Sequence, residues 1–375
     1  MKVLVVNGIS ALRGGGQTNL INLMNSLPSY QCKVVFILNS SNFALFSKFK
    51  SNSIDLFEAK FASRSIFHRV AWERFILPIK LREWGADVYY TPGGVMTTKV
   101  SDNCVTVTTL QNMLPFEISE RKKFPLFSYL RIKLFLLKFV FLKSYRLANK
   151  IIFISKYSQD VVRKIIPKII EKSVVIPLGI NDIFVNYGCK YDLPCGLNNG
   201  KFYLYVSHMD YYKSQKELIY SWKKLVNQGF EYPLVFAGPI VNQYGKEALS
   251  LIEQMGLTSN VIHLGHVEYD KLPGLYQASR ALIFASTCEC CPNILLEMLA
   301  SERVIICSNK GPMPEFGEDG VIYFDPHSID QLTKKVLQIE SGIIDKESIA
   351  QRANALSKQY EHDKTIEKTI KYILN

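Results

Sequence analysis

Short apolar runs rich in β-branched and aromatic residues recur along the chain, each followed by a stretch long enough for a helix. KVLVVNG, CKVVFILN, DVYYT, NCVTVTTL and KIIFIS form the first series. Continuous apolar runs suit strands buried on both faces, and helix-length segments between them suit crossovers, so the pattern specifies parallel sheets covered by helices, an α/β fold. The series breaks at YGCKYDLPCGLNNG, which is polar and turn-rich. It restarts with FYLYVS, PLVFAG, NVIHLG, ALIFAS, RVIICS and VIYF, with helical patterns at KELIYSWKKLV, at KLPGLYQAS and after Pro292. Two domains are expected, as a length of 375 residues also favours. Their expected limits are 1–182 and 200–355, with a linker at 183–199 and a C-terminal helix at 356–375 packing back toward the first domain.

Charge is divided unevenly. Residues 1–185 hold 26 Lys and Arg against 11 Asp and Glu, whereas the remainder holds 19 against 22. The first half therefore suits an anionic partner: phospholipid headgroups, a phosphorylated substrate or nucleic acid. Nucleic acid is disfavoured, because the chain has no zinc module or recognisable RNA-binding signature. No run of about 20 uncharged apolar residues spans a bilayer, and MKVLVVNG is too short to be a secretory signal, so a cytoplasmic protein is expected. The eight cysteines fit reduced thiols; Cys288, Cys290 and Cys291 lack the paired spacing of a zinc site.

Two features suggest chemistry. Gly14, Gly15 and Gly16 follow the first strand and precede a helical pattern, where a tight turn can admit phosphate to backbone amides. In STCECCPNILLEMLAS, Glu289 and Glu297 stand eight residues apart. On one helix they would lie roughly 80° apart and share no face. Pro292 instead places Glu289 in a loop and Glu297 beyond the first turn of the helix that follows, so the two can reach different ends of one ligand.

Together these elements resemble the retaining glycosyltransferases of family four, whose GT-B architecture has two facing Rossmann-like domains with a cleft between them. The segment ECCPNILLE is similar to that family's E-x7-E signature in bacterial O-antigen, capsule and lipopolysaccharide enzymes. Around it stand the GGG turn, VIPLGIN, YVSHMDYYKSQKEL, VFAGP, VIHLGHV and GPMPEFGEDGVIYFDP, in the family's order. The resemblance implies a nucleotide-sugar donor bound in the second domain, with Glu289 on the sugar hydroxyls and Glu297 on the ribose. An ionised carboxylate can hold a vicinal diol with its two oxygens. The amides at Asn293, Ile294 and Leu295 would meet the diphosphate at a helix amino terminus, with Gly15 and Gly16 facing the donor from the first domain. Lys213 stands at the family's diphosphate lysine. His208 stands where the family has an arginine, and Asn112 where many members place a histidine near the sugar. Asn112 cannot act as a general base, and Glu117 is the obvious carboxylate of its loop. No DxD pair marks a metal, so metal-independent hexosyl transfer without a cofactor is expected, with a UDP-sugar favoured over a GDP-sugar. A catalytically silent nucleotide-sugar-binding subunit and another GT-B enzyme, such as an epimerase, are the alternatives.

From Arg121 to Lys150 nine basic residues and no acidic one are interleaved with Phe, Leu, Tyr and Ile. The charges are too frequent for a span and the apolar fraction too high for a solvated helix. An amphipathic segment that docks on anionic lipid fits both properties. In family terms the first domain takes a lipid-linked or oligosaccharide acceptor, so the expected location is peripheral, on the cytoplasmic face of the inner membrane.

Overall fold

The computed structural model describes residues 1–12, 14–185, 193–194 and 196–375. Most of the linker core expected from the sequence, 186–192 with Cys195, lies outside the described residues. Two compact units are present. The first comprises Met1–Phe116, Phe124–Leu178 and Asp363–Asn375, and the second Glu117–Lys123 with Gly179–His362. Against 1–182 and 200–355, the junctions fall at residues 178–179 and 362–363, and one segment, Glu117–Lys123, packs away from its sequence neighbours. The terminal helix His362–Leu374 buries Ile366, Ile370 and Ile373, spaced as one helical face, in the core of the first unit. The short Glu117–Lys123 segment groups with the second.

The first unit is built on a seven-stranded parallel sheet, ordered β3-β2-β1-β4-β5-β6-β7. Its strands are β1 (Lys2–Asn7), β2 (Cys32–Leu38), β3 (Ile54–Glu58), β4 (Val88–Thr91), β5 (Val105–Leu110), β6 (Lys150–Phe153) and β7 (Ser173–Val175). Side chains alternate across the sheet. Leu4, Val6, Val34 and Phe36 join Leu20 and Leu23 of the helix Gly15–Ser26 on one face. Tyr89 and Phe153 point to the other. There Asn7 Nδ2 donates to the Tyr89 hydroxyl at 2.8 Å, and Tyr145 meets Phe153 edge-on with centroids 6.1 Å apart.

The second unit carries a six-stranded parallel sheet, ordered β10-β9-β8-β11-β12-β13. Its strands are β8 (Tyr203–Val206), β9 (Leu234–Ala237), β10 (Val261–His263), β11 (Ala281–Phe284), β12 (Ile305–Ser308) and β13 (Ile322–Phe324). Every apolar run singled out in the sequence is a strand, and both units are Rossmann-like α/β layers; β3 and β7 were not among those runs. In each sheet the chain order reverses once, between β1 and β4 in the first and between β8 and β11 in the second. The crevice beyond the carboxyl ends of strands at such a switch point is where α/β sheets take ligands.

Candidate active site

In the second unit the loops that leave β8 and β11 are tied together at the switch point. The Thr287 amide donates to the Tyr212 carbonyl at 2.7 Å, and the Thr287 and Ser286 hydroxyls donate to the same oxygen at 3.2 and 3.3 Å. The Tyr205 hydroxyl, inside β8, donates to the Lys213 carbonyl at 2.9 Å. Beyond Lys213 the chain turns through Ser214 at φ 55°, ψ 33°, a left-handed conformation costly for a residue with a side chain, and enters the helix Gln215–Val226. Gly238, after β9, approaches this point so closely that a Cβ there would lie 2.2 Å from the Ser207 carbonyl oxygen. Only glycine fits.

This framework brings Lys213 and Glu289 into contact. The Lys213 ammonium donates to Glu289 Oε1 in a pair whose side chains are 5% and 17% exposed. The ammonium also lies 5.0 Å from the centroid of the Tyr212 ring and 5.7 Å from that of Phe284. The carboxylate and the aromatic faces therefore compensate a charge withdrawn from water. His208 Nε2 is 3.1 Å from the Tyr212 hydroxyl and 3.9 Å from Asp210. Burial, and then the nearby Lys213 cation, push the His208 pKa down, which Asp210 and Glu289 only partly oppose. The imidazole is neutral at pH 7 and serves as a hydrogen-bonding group rather than a substitute cation.

Glu289 lies in the loop, and Glu297 is the fifth residue of the helix Asn293–Leu299, with Pro292 as its N-cap. Glu297 is 8% exposed. The Tyr269 hydroxyl donates to its Oε1 at 3.1 Å, and the Tyr276 hydroxyl to its Oε2 at 3.2 Å. Phe184 backs both tyrosines, with centroids 5.2 and 5.8 Å away. Burial raises the Glu297 pKa to about 7 against the opposing pull of the two phenols. The fully ionised carboxylate expected from sequence is thus replaced near pH 7 by a mixture of forms. At the start of this helix the Asn293 amide donates to the Cys291 carbonyl at 3.0 Å. The Ile294 and Leu295 amides belong to the first turn, which has no intrahelical acceptors. The Leu295 side chain is wholly buried, so its amide alone could contribute.

Gly15, Gly16 and Asn112 belong to the first unit. Gly15 and Gly16 do not form a turn ahead of the helix; they are its first two residues, and Gly14 at φ 57° makes the turn. Asn112 follows β5 and accepts the Leu114 amide with Oδ1 at 3.1 Å, closing a local turn. Glu117 and the buried Glu120, paired with Lys123 at 2.8 Å, group with the second unit, where both help to raise the pKa of the buried Cys288 thiol behind desolvation and Glu289. The six described cysteines are buried, and the described residues hold no cluster of three or more His, Cys, Asp or Glu able to bind a metal. Sequence reasoning missed Tyr212, Tyr269 and Tyr276. The seven-residue interval from Tyr269 to Tyr276, which can place two side chains on one helical face, was the available signal.

Residues 196–356, within the second unit, match the family model described as glycosyl transferases group 1. A curated relative, O-antigen chain mannosyltransferase B of Escherichia coli, is 26% identical over 169 residues. That match covers 44% of this chain and 44% of the relative, less than half of its length. Similar solved structures include a glycosyltransferase from Rickettsia africae (17% identity, 99% of this chain and 97% of that one, TM-score 0.75). The Anabaena protein HepE in complex with UDP is also similar, at 17% identity, 99% coverage of both chains and a TM-score of 0.72. At these identities the likeness establishes the fold, a GT-B pair of Rossmann-like units.

Proposed function

We propose that the protein transfers a hexosyl group with retention from a nucleotide-sugar, a UDP-sugar before a GDP-sugar, to a lipid-linked or saccharide acceptor in bacterial surface polysaccharide synthesis. One observation carries the reading: Lys213 and Glu289 arrive from opposite sides of the switch point and meet, inside the region that matches the group 1 glycosyltransferase model. In this reading donor binding replaces their mutual contact, with the diphosphate taking the ammonium and sugar hydroxyls taking the carboxylate. Glu297 receives the ribose, and His208 donates a neutral hydrogen bond where the family has an arginine. First-turn amides of the Asn293–Leu299 helix complete the anion site. The domain's main work is to position the donor and stabilise the leaving diphosphate. A donor phosphate oxygen takes the acceptor proton, so Asn112 positions rather than abstracts. Neither metal nor cofactor is required, and the acceptor is met by the first unit at an anionic cytoplasmic membrane surface.

Turnover of radiolabelled UDP- and GDP-sugars by the purified protein, with and without EDTA, tests the proposal. Consumption of a UDP-sugar that survives the chelator is expected. Binding without turnover would favour the silent subunit, and turnover abolished by EDTA would contradict metal independence.

A further inference from the structure

Two helical segments of the first unit carry apolar surface on the side that faces solvent. The helix Tyr129–Leu147 has two apolar stripes. Leu134, Phe141 and Tyr145 are buried on one. Ile132, Phe135, Leu136 and Phe139, at the i, i+3, i+4, i+7 spacing usually turned to a core, are exposed on the opposite side, roughly 180° away. Just before this helix Phe127 is 85% exposed, and Tyr129 in its first turn is 75% exposed. The second segment is continuous over residues 66–83, with a π-helical turn at Trp72–Ile76 between Ile66–Ala71 and Leu77–Glu83. It exposes Phe67 (82%), Phe75 and Ile79.

The fold places both segments on one face of the sheet. The β3-to-β4 and β5-to-β6 connections cross it in the same direction, and right-handed crossovers then put both helices on the same side. Side-chain alternation agrees. Tyr89 shares Asn7 with Glu73 of the first segment, and Phe153 meets Tyr145 of the second, whereas their neighbours Tyr90 and Ile152 belong to the core on the other face. Residues 64–83 and 129–147 together hold ten Lys and Arg against Glu73 and Glu83, and both acids are ion-paired, with Arg69 and Lys80. On the longer helix Arg131 and Lys133 flank the exposed stripe on its two sides. No described helix is long and apolar enough to cross a membrane.

Exposed aromatic and aliphatic side chains bordered by cations match the chemistry of an anionic bilayer surface: acyl chains take the apolar groups and headgroups take the cations. We infer that residues 66–83 and 126–147 form one two-helix face that inserts apolar side chains into an anionic lipid leaflet. The inference rests on the membrane reading above and changes its nature, from electrostatic docking by one basic segment to shallow insertion of two. It does not depend on the donor chemistry.

The test is co-sedimentation of the full-length protein with vesicles of phosphatidylcholine alone or mixed with phosphatidylglycerol. Binding to the mixed vesicles is expected, with a fraction retained at high salt because insertion persists when charges are screened. Phe67→Ser with Phe75→Ser, and separately Phe127→Ser, Phe135→Ser and Phe139→Ser together, should each lower the partition coefficient about tenfold. Melting temperature should hold, since these side chains are exposed. Lys133→Gln, Lys138→Gln and Lys143→Gln combined should remove the salt-sensitive part alone. Normal binding by the Phe67/Phe75 variant, or complete release of the wild type by salt, would overturn the two-helix insertion while leaving electrostatic docking in place. A wild type that ignores anionic vesicles yet turns over a sugar nucleotide would overturn the membrane reading and spare the transferase. Sedimentation analysis that finds a stable dimer dissociated by the Phe variants would assign the face to a second copy of the chain and likewise overturn the inference.

Discussion

Glu289 and Glu297 are separated by eight positions and held in opposite ways. Glu289 answers a buried cation from the loop after β8, on a short segment laced by hydrogen bonds to Tyr212. Glu297 sits inside a helix with no cation among the described residues in contact and receives two neutral phenols. In the proposed reading the first arrangement holds charge ready for exchange with an anionic ligand. The second makes ionisation costly until something arrives to solvate or replace it. A sequence signature that names two glutamates therefore specifies two chemistries, set by what the fold brings to each.

The contrast breaks most easily at Glu289. Glu289→Ala leaves the Lys213 ammonium buried without its carboxylate, and losing one partner of a buried pair costs about 3 kcal/mol or more. Denaturant melts should show that loss, and donor turnover should fall at least tenfold, roughly 1.4 kcal/mol of transition-state stabilisation. Near-normal stability and kcat/KM together would remove the pair from both fold and function.

The next effect belongs to Glu297 and depends on pH. Its folded pKa of about 7 lies above the ordinary 4.5, so between those values the unfolded chain releases a proton that the native state keeps. Stability from this group is fully present below about pH 4.5 and is lost as pH rises toward 7, a change on the order of 3 kcal/mol. Glu297→Gln should lack that component, so its stability relative to the wild type should rise across the same window and level off above it. Parallel stability curves for the two proteins would contradict the buried, unpaired state. Smaller still, Tyr269→Phe and Tyr276→Phe each delete one hydrogen bond to the carboxylate, worth about 1 kcal/mol. Each should also move the wild-type pH dependence further upward; a downward shift would show that the phenols do not favour the ionised form.

The sheet strands were legible wherever a run was apolar throughout. β3 escaped because IDLFE carries Asp55 and Glu58 at a half-buried sheet edge, and β7 because three residues are too short for a pattern. Glu289 and Glu297 could be singled out from their spacing about Pro292. Lys213 was singled out through the resemblance, but its pairing with Glu289 could not be read, since the two lie 76 residues apart and only the switch point brings the loops together. The exposed stripe of the Tyr129–Leu147 helix was visible as apolar content, but sequence cannot say which of two apolar stripes faces the core. The segment at 66–83 gave no warning, because its phenylalanines look like any amphipathic helix until the fold turns them outward.

The central claim, that Lys213 meets the diphosphate and Glu297 the ribose of one nucleotide-sugar, is tested most directly by calorimetric titration of UDP and uridine into the wild type, Lys213→Ala and Glu297→Ala. Lys213→Ala should weaken UDP at least tenfold more than uridine, about 1.4 kcal/mol, because the ammonium meets only the diphosphate. Glu297→Ala should weaken both ligands by a similar factor, since the ribose is common to them. Equal losses of UDP and uridine in Lys213→Ala, or unchanged affinity for both in Glu297→Ala, would contradict the account.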